Sequence, residues 1–249
     1  MDTFAVINDN HHVSLEDTQT CIHLKYRLKF SGPIPSKLKL QQPTPWYAPR
    51  ISIYNNSATI ALSLRNRAVD EFYTYSIYCP IPYIILGMGE NYYLSDDKQN
   101  IPVIRMEFKA QPPHNILDVI KNIEIYVYSN KLNSNAKSGM EIYGPQGDTL
   151  FSSNLHYMRI AGSHHTDWTY AEVMQKPTTH DVFNAEKMGV FMIWNSGLHE
   201  YHINGNTVDA VWDTRAHPNP DFGNFEQTYV VAEHKYDNDF PITMDEVYI

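Results

Sequence analysis

Short apolar runs separated by turn residues, about every eight to twelve positions, constrain this chain's fold more than any other feature. Roughly a dozen such runs lie between Phe4 and His234. The spacing predicts an all-β chain, an antiparallel β-sandwich or jelly-roll-like fold with at most one or two short helices. Aromatics make up 13% of the residues, and 18 of them are tyrosines. Such rings suit half-buried pleated surfaces, and tyrosine is also a contact residue at interfaces.

The clearest local signal is Gly139 to Ile160. Met140 to Tyr143 and Thr149 to Phe151 are short apolar-rich runs, and Gly144-Pro145-Gln146-Gly147-Asp148 lies between them. Pro145 presets φ for the first turn position, and Gly147 can take a positive φ without a Cβ clash. A type I turn followed by a left-handed glycine is a common hairpin connection. Ser152-Ser153-Asn154 then breaks the run, and His156 to Ile160 reads as a returning third strand.

This stretch resembles a signature of tailed-phage virion proteins, chiefly minor tail and tail-tip components: strand, turn, strand ending Phe-x-Ser, aromatic-rich return strand. Tyr126-Val127-Tyr128-Ser129 and the polar bridge into Ser138-Gly139-Met140-Glu141-Ile142-Tyr143 are similar to it too. Gly144-Pro145 departs from the Asn/Asp-Ala more usual there, which changes the turn residues but not the turn. The resemblance implies a structural virion protein without enzymatic activity, a minor tail, tail-tip or fibre-attachment component. It would be assembled in the host bacterial cytoplasm and held by contacts with other virion proteins and with copies of itself. A host-receptor or carbohydrate-binding module is the alternative, with Trp46, Tyr47, Tyr92, Tyr93 and Trp168 as contact residues able to stack on a surface glycan.

Taken in order, Phe4 to Ile7 and Val13 to Leu15 flank an Asn-Asp-Asn turn cluster, and Cys21 to Phe30 alternates as a strand. Laid 136 positions along the chain, Val6 falls on Ile142 and Leu15 on Phe151. Two unrelated hairpins would align as well, so a true internal repeat stays open. Ser31 to Arg50 holds five prolines and reads as an ordered loop, in which Trp46-Tyr47 is either an exposed contact or a plug over the core. Ile51 to Leu64 reads as a hairpin. Glu71 to Leu86, broken by Cys79-Pro80-Ile81-Pro82, reads as an edge strand or bulge before a buried run. Tyr92 to Asn100 reads as polar loop, Val103 to Lys109 as a strand, and Ile116 to Lys121 as one helical turn before Ile123, Ile125 and Val127 alternate with Glu124, Tyr126 and Tyr128. Asn130 to Ser138 is the best linker, which predicts a β-domain over 1–130, a linker over 131–138 and a second β-domain over 139–249. Beyond it, Tyr170 to Gln175 reads as a short helix. Gly189 to Trp212 reads as a three-strand meander turning at Asn204-Gly205, Gln227 to His234 as a last long strand, and Asp237 to Glu246 as an acidic tail that frays or docks on a neighbour.

Composition narrows the chemistry. A net charge of −9 without a dense basic stretch argues against nucleic acid. The start Met-Asp-Thr-Phe lacks the features of a signal peptide, and no apolar run nears the roughly 18 residues of a membrane span. The expectation is a protein made in a reducing cytosol, with neither membrane nor cofactor. Cys21 and Cys79 form no metal or redox motif and leave one disulfide open. His199 and His202 lie three apart, which on a strand sends them to opposite faces. Ser163-His164-His165-Thr166-Asp167 with His180-Asp181 reads as solvated loop in preference to a metal site. No Gly-x-Ser-x-Gly elbow or glycine-rich phosphate loop is present, and Asp213, Asp221, Glu226 and Glu233 are the one acidic cluster worth testing for glycoside hydrolysis. No catalytic, cofactor-binding or metal residue is assigned.

Overall fold

A computed structural model describes residues 4–8, 11–15, 22–29, 50–54, 56–63, 71, 73–94, 100–131, 139–143, 147, 149–175, 178–195, 199–212, 225–234 and 241–243. In the first half, the hairpin β1 (Phe4–Asn8) and β2 (His11–Leu15) precedes β3 (His23–Lys29) and the hairpin β4 (Arg50–Tyr54) and β5 (Ser57–Ser63). Next come β6 (Tyr73–Tyr78), the long hairpin β7 (Tyr83–Leu94) and β8 (Asn100–Ala110), helix α1 (Ile116–Asn122) and β9 (Glu124–Ser129). In the second half, the hairpin β10 (Glu141–Tyr143) and β11 (Thr149–Ser152) leads into β12 (Arg159–Trp168), α2 (Tyr170–Gln175) and β13 (Thr178–Val182). Last are β14 (Met188–Asn195), β15 (His199–Asn204), β16 (Thr207–Trp212), β17 (Phe225–Glu233) and β18 (Pro241–Thr243).

The fold is an all-β antiparallel sandwich with two short helices among the described residues. One seven-stranded sheet runs β12-β17-β14-β6-β9-β3-β18 and the other β13-β16-β15-β7-β8-β5-β4. Among the described residues, the hairpins β1-β2 and β10-β11 each pair only within themselves. Between the sheets lies one core, in which Ile77, Ile125, Val127, Val190 and Val231 meet Ile60, Ile85, Ile104, Phe108, Tyr201 and Val208. Tyr201 and Tyr229 touch edge to face across the layers, centroids 5.6 Å apart.

The two stretches expected as consecutive β-domains, 1–130 and 139–249, lie side by side in this topology, with β18 alone crossing to the far edge among the described residues. Each sheet takes strands from both halves, joined in antiparallel fashion by β6 to β14 and by β7 to β15. What repeats is the order of elements. A hairpin outside both sheets is followed by a strand in the first sheet, the second (the pair β4-β5 in the first half, β13 in the second), the first, a hairpin in the second, and a strand in the first again. In space the two copies run in mirrored order: β3, β9, β6 against β14, β17, β12, and β5, β8, β7 against β15, β16, β13. The offset that aligns Val6 with Ile142 lays β1 on β10 and β2 on β11.

Several local expectations change for the same reason. The run before the two prolines, β6, is the middle strand of its sheet and not an edge, because Pro80 and Pro82 fall in the crossover between sheets where no ladder hydrogen bond is lost. Of the stretch read as polar loop over Tyr92 to Asn100, Tyr92 to Leu94 continue β7 and Asn100 opens β8, while 95–99 lie outside the described residues. The three-strand meander is instead a β15-β16 hairpin, with β14 in the other sheet. Part of the acidic tail docks within the chain, where β18 lies parallel on β3. The return strand starts at Arg159; Tyr157 makes one bridge to His23.

Other elements match their sequence. Helix α1 is capped by Asn115, whose side chain accepts from the Asp118 N–H at 3.1 Å. It buries Ile116, Val119 and Ile120, spaced to share one face. In the hairpin β10-β11, Gly147 takes φ +83°, the left-handed value for which a residue without Cβ is suited.

Candidate functional site

Strand β9 buries both of its faces. Ile125 and Val127 point into the sandwich core, while Glu124, Tyr126 and Tyr128 face the other way and are equally covered. What they meet belongs to both halves of the chain. The Glu124 carboxylate lies 2.9 Å from Arg27, 2.7 Å from Lys29 and 2.9 Å from Lys187, and the Tyr126 hydroxyl donates to it. The Lys187 ammonium also sits over the rings of Tyr78 and Tyr126, at 5.0 and 5.6 Å, where ring quadrupoles favour a cation. Burial pushes the Glu124 pKa up, but hydrogen bonds from Lys29, Tyr126 and Lys187 outweigh it and hold the group at about 2.

His234, just past β17, stacks on Tyr126 with centroids 3.7 Å apart and planes 1° from parallel. Its Nε2 shares a 3.0 Å hydrogen bond with Ser76 Oγ, and its Nδ1 a 2.8 Å bond with the Tyr128 hydroxyl. Desolvation first, then the charge of Lys187, lowers its pKa to about 3, so the imidazole is neutral. Gly189 makes room for it: a Cβ there would lie 2.2 Å from His234 Nε2 and 2.9 Å from Ser76 Oγ. At the other end of the same strands, Lys25 donates to Glu71 at 2.5 Å and to the Tyr73 hydroxyl at 3.0 Å.

A serine bonded to a histidine is the geometry of an activated nucleophile. Here Ser76 is 0% and His234 1% exposed, and the second ring nitrogen meets a phenol in place of a carboxylate. The cluster is buried and holds protein to protein. Its members come from β3, β6 and β9 of the first half and from the ends of β14 and β17 in the second, so it locks the halves on a face outside the main core.

A second polar group lies between β12 and β13. His164 Nδ1 is 2.8 Å from Asp181, and the Tyr229 hydroxyl donates to that carboxylate. The His164 ring stacks on Tyr229 at 5.1 Å, while His180 pairs with Asp209. The solvated-loop reading of Ser163 to Asp167 is thus corrected: these residues are strand β12, paired along β17. His164 turns inward against Tyr229 and His165 is exposed, so the adjacent histidines do not converge. No group of three or more His, Cys, Asp or Glu could hold a metal ion among the described residues.

The contact residues singled out in sequence are dispersed. Trp46 and Tyr47 lie outside the described residues. Tyr92 and Tyr93 sit in β7 opposite Pro102 and Ile101, whereas Trp168 ends β12 in the other sheet, half-buried, opposite Phe225. Glu226 and Glu233 occupy opposite ends of β17, and Glu233 approaches Arg159 at 3.9 Å; Asp213 and Asp221 are outside the described residues. His202 lies 3.5 Å from Glu200 on β15. Cys79 is a buried free thiol near the Val119 carbonyl, at 3.8 Å, and burial pushes its pKa up to about 11. Cys21 is outside the described residues. The cluster on β9 was not anticipated; its one signal was a glutamate sharing a strand face with two tyrosines. No family model matches the chain, and neither a curated protein nor a solved structure does.

Proposed function

We propose that the chain is a structural virion protein of a tailed bacteriophage, a minor tail, tail-tip or fibre-attachment component. It works through contacts with other virion proteins and with copies of itself, and is assembled in the host cytoplasm. The observation that carries the reading is the β10-β11 hairpin, the segment with the virion-protein resemblance. It pairs with neither sheet, yet its base is tied down. Met140 N–H donates to Ser153 Oγ at 2.9 Å, Ser153 N–H to the Met140 carbonyl at 2.8 Å, and Ser152 N–H to the Tyr157 hydroxyl at 2.7 Å. Phe151 stacks on Tyr157 at 5.0 Å. The ribbon so held presents Met140 and Tyr143, 48% and 58% exposed, residue types enriched in interface cores. A pre-ordered arm loses less entropy on docking than a loose one. The buried polar cluster on β9 also favours a part that builds by contact over one that turns over a substrate.

Peptide mass spectrometry of purified phage particles tests this. The protein is expected in the particles at fixed stoichiometry, and Tyr143→Lys is expected to lower its incorporation at least about tenfold, a loss of about 1.4 kcal/mol of docking energy. Particles that are infectious and lack the protein would end the reading.

A further inference from the structure

The two halves repeat the same element order but end differently. In the first half the outer strands are covered: β18 adds to β3, and β4 to β5. Their counterparts in the second half, β12 and β13, pair inward only, with β17 and β16, and carry no further strand among the described residues. These two bare edges are stacked, since His164 of β12 reaches Asp181 of β13 at 2.8 Å. Each also carries an exposed aliphatic residue, Ile160 at 62% and Val182 at 63%. A sheet edge to which no further strand is added among the described residues, beside exposed apolar side chains, invites strand addition.

We propose that this double edge is the seam for a second copy of the chain, β12 adding antiparallel to β12 and β13 to β13 of the copy about a two-fold axis. An extended peptide could extend one layer; closing both at once takes a partner with two stacked edges at sandwich spacing, and the rotated copy supplies them. The chain already contains such a joint, where β6 meets β14 and β7 meets β15, both antiparallel. The two edges carry few charges, Arg159, Asp167 and Asp181, so two copies bring only one net negative charge each to the seam. Each contact in such an isologous seam is made twice. The inference rests on the assembly reading only in taking self-association as its means. A dimer absent from particles would keep the seam and remove the virion role.

Sedimentation equilibrium of the full chain, with a photo-crosslinking residue at Ser163, tests it. The expected result is a dimer whose crosslinks map to residues 159–168 of the copy. Ile160→Lys and Val182→Lys, at exposed positions, should each weaken the dimer by about tenfold or more, while Tyr143→Lys on the free hairpin leaves it intact. If a lysine variant loses its β-sheet circular dichroism, the crosslink in the otherwise unchanged chain decides. A chain that stays monomeric at several hundred micromolar, or crosslinks mapping elsewhere, would overturn the seam.

Discussion

Between pH 7 and pH 3 the folded chain is expected to lose several kcal/mol of stability, because two groups in the cluster on β9 titrate far from their ordinary values. His234 is held neutral to about 3, whereas in the unfolded chain it takes up a proton near 6.5. Acid therefore favours the unfolded state throughout that interval. Glu124 is held ionised to about 2, against an unfolded value near 4.3. Its stabilisation is complete above the unfolded value and is lost as the pH falls toward 2. Both effects have the same sign; down to pH 3 the histidine contributes on the order of 4 kcal/mol and the glutamate on the order of 2 kcal/mol. Urea unfolding from pH 8 to pH 3 should show a plateau above about 7 and a progressive fall below it. Replacing His234→Gln should flatten the upper part of that fall. At neutral pH, Glu124→Gln should cost about 3–5 kcal/mol, since Arg27, Lys29 and Lys187 would lose their shared anion. A stability unchanged from pH 7 to pH 4 would show that His234 is not buried as described.

The second large effect is steric. A methyl at Gly189 would meet His234 Nε2 at 2.2 Å and Ser76 Oγ at 2.9 Å, with His234 fixed by its stack on Tyr126. Gly189→Ala is expected to destabilise by about 3 kcal/mol, at the upper end for overpacking. His234→Ala opens the space, so the same glycine change in that background should cost under about 1 kcal/mol, a coupling that a double-mutant cycle in guanidinium reads directly. Equal costs in the two backgrounds would mean that Gly189 and His234 are not in contact.

Much of the secondary structure was legible because its causes are local. Asn204-Gly205, the Gly147 turn and the Asn115-capped Ile116, Val119, Ile120 face announce a hairpin, a hairpin and a helix from their own residues. What alternation does not encode is the partner. Along β9 the pattern separates Ile125 and Val127 from Glu124, Tyr126 and Tyr128, and nothing local shows what covers the second set. It is dry because Lys187 and His234, at least 59 positions away, fold back over it. The prolines at 80 and 82 misled in a similar way, marking a crossing between sheets and not the quality of the strands beside them. A linker composition over 131–138 is real, but the two halves it joins share both sheets side by side, since composition reports exposure and not which strands pair. For the contact residues, Trp168 and the pair Tyr92 and Tyr93 lie in different sheets, which only the topology reveals.

Cutting the chain at a protease site placed within 132–138 and passing the product over a sizing column tests the shared sandwich most directly. Strands from both sides of the cut lie in each sheet, so the fragments should elute together at the size of the intact protein and separate only in denaturant. Two fragments that part in native buffer, each keeping its own cooperative unfolding, would contradict the shared core.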